Sequence, residues 1–585
     1  MLKNQKMTGY TSIDNPHNIG SSFLKKHPLI PNTNIFTIFK LLSVACLDKP
    51  AIDCIDLRAT YRSVLNDSVT ISLALKRLGV KKGDIVSVCM PNFYQSIITF
   101  FACNRIGAVV TFLDFSASQE EICSYLNLFK SPIFINYDKD NSYNKKIIEE
   151  TSIRYIITLS KKCVNSISLN GDYNITGDDR IIDFNCLGSI AKKQKTKFEQ
   201  LHAAKENALI LFTSGSTGKP KSVVLTNENV LASIIYAKNT SQKEDVTGTK
   251  TLVSVPFSYP YGFVTSALTT LLWGKEAILA PDIGKDTICY YYSKRPNIIF
   301  GSPALLDLTI NNIPYEQDLS FVSYFISGGD FLTPQHAKRG TLFFEKHGAK
   351  VEIGNGSGNA ETVSCGTTPV GVPLRPETAG KILVGTRVMV VDSDTLEEKK
   401  YGEEGVLCVS GKHVFKEYYN NAELTNQSKF TRNGVEYYKT GTLGYVDKRG
   451  YFTLTGRQSR FYIMSSLNKV YCDNVQNIIS TYDCVKACAV VKVADEELLY
   501  VNKAYIVLND GYRESDEMIE QINRLFNSPS KTLDGRTVQL KTYEIPTYME
   551  FVDSLPRKMG TEKVDYLFLE EDAMRKVEQC KIPLV

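Results

Sequence analysis

The sequence predicts an α/β protein: a large N-terminal region on mostly parallel sheets, then a small β-rich subdomain, then a separate α+β unit. Three observations carry this. Short apolar runs alternate with segments of helical length as far as about residue 326, the pattern of βαβ units. After about residue 380 short strands and turns dominate. From about residue 457 helix and strand signals return in a new order. The 585 residues are 43% apolar and 22% charged, as in soluble globular proteins, which excludes a disordered, collagenous or coiled-coil bulk.

The elements follow in order. Residues 1–30 are polar and read as a loosely ordered extension without the apolar core of a signal peptide. Tyr61–Leu78 reads as a helix stopped by Gly79, where a left-handed cap falls. The run from Ile85 to Met90, ended by Pro91, is a strand; a helix from Tyr94 to Arg105 and a strand from Ala108 to Leu113 follow. The alternation recurs at 132–137, 155–159, 297–300 and 321–326. Strands at 387–391, 405–410, 444–446 and 451–454 make the β-rich subdomain. The last unit has a helix at 474–482 with Val475, Ile478, Ile479 and Tyr482 on one face. Strands at 487–493 and 503–508 and a helix at 515–526 complete it, and the joint falls near Gln458–Phe461.

Lys and Arg number 68 against 63 Asp and Glu, an excess of five that is too thin and too interleaved for a nucleic-acid or anionic-membrane partner. The fourteen cysteines contain no CxxC pair, and most sit in apolar runs, as reduced thiols of a cytoplasmic protein do. The most membrane-like stretch, Ser96–Leu113, is broken by Asn104 and Arg105, so no transmembrane segment is expected.

The strongest chemical signal lies between two apolar strands, 208–212 and 222–225. Thr213, Ser214, Gly215, Ser216, Thr217, Gly218, Lys219, Pro220 and Lys221 form a loop of hydroxyls, glycines and cations. Glycines allow close backbone approach to an anion, and hydroxyls and amides wrap phosphate oxygens. It is not a Walker loop, since only Ser216 and Thr217 separate its glycines and Pro220 follows the first lysine.

This loop resembles the phosphate loop of the adenylate-forming enzymes, which include acyl-CoA synthetases, luciferases and peptide-synthetase adenylation domains. The resemblance extends from about residue 33 to 570, with the motifs in the family's order. Leu78–Asp84 with Pro91-Asn92 looks like the first subdomain, and Pro256–Gly262 like the segment that gates the acyl pocket, with Tyr259 at the gate. Ser327-Gly328-Gly329-Asp330 is similar to the loop along the adenine. Tyr438–Gly444, Gly450-Tyr451 and Thr455–Arg457 resemble the ribose and hinge segments. Leu555-Pro556-Arg557 with Lys563–Tyr566 resembles the segment that supplies the family's catalytic lysine.

The resemblance implies two doubly wound βαβ subdomains and the β-rich subdomain over 31–456, with a mobile α+β lid over 457–585. It implies a carboxylic acid substrate, ATP, Mg²⁺ and coenzyme A, and an acyl-adenylate converted to a thioester. Residues 213–219 and Lys221 then hold phosphates, with Gly328, Gly329, Asp330, Gly356, Ser357, Gly358 and Asn359 along the nucleotide. Glu361 and Thr217 meet the metal, Arg457 and Thr442 the ribose, and Lys563 bridges the acid and the α-phosphate. Tyr259, Phe263, Gly301 and Ser302 line the acyl pocket.

Several positions depart from the family pattern. Thr442 stands where an Asp bonds the ribose hydroxyls, Ser357 where a Tyr stacks on adenine, and Ala360 where a Thr precedes the metal glutamate. Glu562 replaces a Gly before the lysine, the Pro556–Lys563 spacing is one residue long, and Leu467 replaces a Gly that gives pantetheine room. A charge-assisted hydrogen bond contributes about 1.5–3 kcal/mol, so Thr442 alone predicts roughly ten- to hundredfold weaker ATP use. An acyl-CoA ligase is the first expectation. Loading of an acyl-carrier protein, arrest at the adenylate, and a non-catalytic adenylation-fold module are the alternatives.

Overall fold

The computed structural model describes residues 7–19, 21–164, 169, 179–192, 203–213, 221–241, 249–329, 332, 334–375, 377–458, 460–465, 469–495, 497–531, 537–557 and 563–579. The phosphate loop at 214–220, Asp330, Leu467, Lys558 and Glu562 lie outside them.

Among the described residues two large, mostly parallel sheets form the N-terminal region. One has eight strands, with Ile85–Cys89 between Val109–Phe112 and Ile133–Tyr137 near its centre. The other has seven, with Glu352–Asn355, Tyr324–Ser327, Ile298–Gly301, Lys250–Val253 and Glu276–Leu279 running parallel side by side. Ile85–Cys89 is buried at every position, which explains why it reads as a run that is apolar except at Ser87 rather than an alternating one. The helix Tyr94–Arg105 is buried at every position but its last and lies within a core that draws residues from both sheets. The helix Tyr61–Arg77 begins where Thr60 accepts from the Ser63 N–H and ends against Gly79, whose φ of +85° is the expected left-handed cap.

The β-rich subdomain is a five-stranded antiparallel sheet around the long strand Val435–Val446. Its last strand, Phe452–Arg457, leads to the C-terminal unit. There the strands Val485–Asp495, Leu499–Leu508 and Tyr548–Phe551 pack against the helices Cys472–Ile479, Asp516–Phe526 and Tyr566–Gln579.

Residues 7–19 of the N-terminal segment are not a loose extension. Ser12 Oγ donates to Glu398 at 2.7 Å, 386 residues away, and the Tyr401 hydroxyl donates to Asp14 at 3.0 Å. His17 is fully buried against Gly450, with Nε2 3.1 Å from the Thr386 carbonyl oxygen. The segment is polar because its own polar groups dock on the β-rich subdomain, and no local pattern records that. The twelve cysteines whose side chains are described are all free thiols, and no helix among the described residues is long and apolar enough to cross a membrane.

Candidate functional site

Parallel strands leave their following loops side by side at one sheet edge, and a cavity opens there. Ser302, Gly328 and Gly356 each follow a strand of the seven-stranded sheet and line one cavity of about 1770 Å³. The loops are stepped together: the Gly328 N–H donates to the Gly301 carbonyl at 3.0 Å, and the Gly356 N–H to the Ser327 carbonyl at 2.9 Å. A Cβ on Gly328 would stand 2.8 Å from the Tyr261 ring, and one on Gly358 2.4 Å from the Ser364 carbonyl carbon, so both positions demand glycine. Gly329, Ser357 and Asn359 also line the cavity.

The two residues that bracket the phosphate loop are paired. The Thr213 N–H donates to the Lys221 carbonyl at 3.0 Å, and the Lys221 N–H to Thr213 Oγ1 at 3.1 Å. Both line the same cavity. Glu361 faces them from another element. Its residue is 4% exposed, and the Tyr418 hydroxyl donates to its Oε1 at 2.5 Å. Lys221 Nζ lies 5.5 Å from the centroid of that Tyr418 ring. Burial and the Glu361 charge push the Tyr418 and Tyr438 phenols well above their ordinary range, so both remain proton donors. Asn359 Nδ2 donates to the Tyr438 hydroxyl at 3.2 Å and to the Thr440 carbonyl at 3.1 Å, tying the glycine loop to the β-rich subdomain.

Among the described residues no group of three or more His, Cys, Asp or Glu is arranged to hold a metal. A lone buried carboxylate fits a hard cation that keeps several waters and arrives on a polyphosphate. Thr217, the other expected metal contact, lies outside the described residues.

Thr442 and Arg457 are directly opposed across neighbouring strands, and both line the cavity. The link to the C-terminal unit follows at once. The Asp473 carboxylate accepts from the Arg457 N–H at 2.8 Å and pairs with the Arg460 guanidinium. That guanidinium lies 3.5 Å from the centroid of the Tyr566 ring. Lys563 reaches the cavity from the far end of the chain: its Cε lies 3.4 Å from where a Cβ on Gly329 would stand. The Asp565 N–H donates to the Pro556 carbonyl at 2.8 Å and closes the segment that carries this lysine.

The expected acyl pocket is placed only in part. Tyr259 and Ser302 line the cavity. Phe263 does not; it is fully buried in an aromatic core with Phe100, Phe112 and Phe257, at centroid distances of 4.8, 4.5 and 5.2 Å. It lies in a π-helical segment, Tyr261–Leu268, whose wider turn shifts side chains off the face that a 3.6-residue period assigns. Gly301 lines no part of the cavity either; its carbonyl accepts from the Tyr261 hydroxyl at 3.1 Å. Tyr418, Arg460 and Asp473 were not legible as site residues, because each acts through a partner remote in sequence or on another element, and Tyr261 and Tyr438 entered only as members of the segments Pro256–Gly262 and Tyr438–Gly444.

Known proteins resemble this chain in sequence and in fold. The profile of the family described as AMP-binding enzyme matches residues 43–419. A long-chain-fatty-acid–CoA ligase from Bacillus subtilis (strain 168) is 25% identical over 556 residues, 93% of this chain and 95% of that protein. The solved structure of the anthranilate CoA ligase AuaEII in complex with anthranoyl-AMP superposes with a TM-score of 0.78 at 20% identity, covering 95% of this chain and 100% of that one. ATP-bound MatB from Rhodopseudomonas palustris superposes with a TM-score of 0.76 at 21% identity, covering 93% and 99%. With a family match over most of its N-terminal region and the same fold over nearly its whole length, this chain belongs to the AMP-binding enzyme family, the adenylate-forming enzymes.

Proposed function

We propose that the protein is an ATP-dependent acid–thiol ligase that activates a carboxylic acid as its acyl-adenylate and passes the acyl group to coenzyme A. The observation that carries this reading is the convergence of Lys221, Glu361 and Lys563, from three distant parts of the chain, on one glycine-lined cavity. In the first step an acid oxygen attacks the α-phosphorus, the bond to the bridging oxygen breaks, and pyrophosphate leaves. In the second a thiol sulfur attacks the acyl carbon and AMP leaves. Lys563 offers donors and no acceptor beside Gly329, which suits charge growing on the α-phosphate oxygens. Lys221 holds the departing phosphates, and Glu361, oriented by Tyr418, would hold a Mg²⁺ that neutralises their charge. Tyr259 gates the acid, and residues 457–585 form a lid that swings about the Arg457–Asp473 clasp relative to an adenylation domain at 31–456. Reduced cysteines support a cytoplasmic setting.

Pyrophosphate release is expected with one class of acid only, and only with ATP and Mg²⁺. Coenzyme A or a phosphopantetheinyl carrier protein, added next, identifies the acceptor. Binding of ATP without pyrophosphate release across fatty and aryl acids would instead make the chain a non-catalytic module.

Thr442 is expected to be a repairable weakness. Its hydroxyl makes one neutral hydrogen bond where a carboxylate accepts two stronger ones, and Arg457 opposite it offsets the added charge. Thr442→Asp should tighten ATP binding several-fold, roughly ten- to hundredfold at most. Calorimetric titration of parent and variant checks this; equal affinities would mean that residue 442 does not face the ribose.

A further inference from the structure

The cavity does not stop at the acid's reacting end. Thr251 and Ser254 lie at opposite ends of one strand of the seven-stranded sheet, Ile298 and Ser302 at opposite ends of the next, and Lys275 and Ala280 flank a third; all six line the cavity. The space therefore runs along the strands, and from Lys275 to Ala280 that is about 16 Å. Its far end is not apolar. Lys275 is 4% exposed, and its Nζ makes no hydrogen bond among the described residues. The indole Nε1 of Trp273 is buried and unpartnered too. The two side chains adjoin, with Nζ 5.1 Å from the indole centroid.

The Lys275 backbone is firmly held, its N–H donating to the Thr270 carbonyl at 3.1 Å and its carbonyl accepting from the Tyr61 hydroxyl at 2.8 Å. The neighbouring carboxylate, Glu276, is engaged elsewhere, with Arg58 at 3.1 Å and Lys250 at 3.7 Å. The other charge acting on Lys275 is Lys238, also a cation; burial and Lys238 together push the ammonium down to about 8. The indole face is an attractive neighbour for the ammonium, but leaves its N–H donors unused. A buried cation normally has a partner, because an unpaired one is costly. Ammonium and indole N–H are donors only, so the missing partner is an acceptor, and the two cations make it an anion.

We propose that Lys275 and Trp273 bind the far carboxylate of a long-chain α,ω-dicarboxylic acid whose near carboxylate is the one activated. This rests on the acid-activation reading above, and names its substrate class.

Dodecanedioate and dodecanoate are titrated by calorimetry into the parent, Lys275→Met and Trp273→Phe, with thermal melts to verify folding. The parent is expected to bind the dicarboxylate about ten- to hundredfold tighter, as for a hydrogen bond to a charged group. Lys275→Met should close that gap, and Trp273→Phe, which keeps a ring but loses the N–H, should narrow it. Equal affinities in the parent, or a gap that survives in Lys275→Met, overturns the proposal. Pyrophosphate release with the same acids separates the two readings. Turnover of the monocarboxylate alone overturns the substrate class and leaves acid activation standing. A binding gap without turnover of either acid supports the anion site and counts against acid activation.

Discussion

Lys563→Ala is expected to lose about a hundred- to thousandfold in acyl-adenylate formation, yet to convert a supplied acyl-adenylate into thioester at close to the parent rate. Removing one donor aimed at developing charge costs about 2.7–4 kcal/mol. In the structure Lys563 stands over Gly329, in the same cavity as Glu361 and Lys221, which suits the role proposed for its charge in the step that expels pyrophosphate. In the proposed mechanism the lid has carried this ammonium away before the thioester step, in which AMP leaves with the electron pair of the broken acyl–oxygen bond. Single-turnover assays of each half-reaction check the expectation. Equal losses in both would remove Lys563 from that role and pass it to Lys558.

Arg460→Met is expected to destabilise the C-terminal unit by about 3–5 kcal/mol, the cost of stripping one partner from a buried ion pair. Arg460 and Asp473 are 13% and 14% exposed, and Arg460 also covers the Tyr566 ring and donates to the Val490 carbonyl. Without the guanidinium, Asp473 keeps the Arg457 N–H and little else to offset its buried charge. Urea unfolding followed by a probe in the C-terminal unit should show an earlier transition for that unit while the N-terminal sheets hold. An unchanged midpoint would mean that the cluster does not hold the hinge. Because Tyr566 lies three residues from Lys563, the same variant should also impair adenylate formation.

Much of the candidate site was legible because local chemistry wrote it. A loop of hydroxyls and glycines between two apolar strands reads as a phosphate cradle whatever surrounds it, and the flanking Thr213 and Lys221 pair with each other. Lys563 was found through its flanking Pro556 and Val564–Tyr566, and the backbone bond from Asp565 to Pro556 is what makes that flank a unit. Thr442 and Arg457 were assigned to one ribose by resemblance, and the pairing of their strands brings them opposite each other. Phe263 was misplaced because an apolar aromatic reads the same in a core and in a pocket, and a π-helical turn decides which it meets.

The sequence by itself determined the backbone: apolar runs that can only be buried strands, helices with a Thr60 cap and a Gly79 stop, and an order of elements that yields parallel sheets. These are local properties, set by period, capping and conformational freedom within a few residues. The tertiary structure alone decided which side chains meet. It set Tyr418 on Glu361 across 57 residues, Ser12 on Glu398 across 386, and the amine of Lys275, unpartnered among the described residues, at the end of the cavity. Each depends on how whole sheets pack, and a hydroxyl, carboxylate or amine carries no local mark of the distant group that will satisfy it.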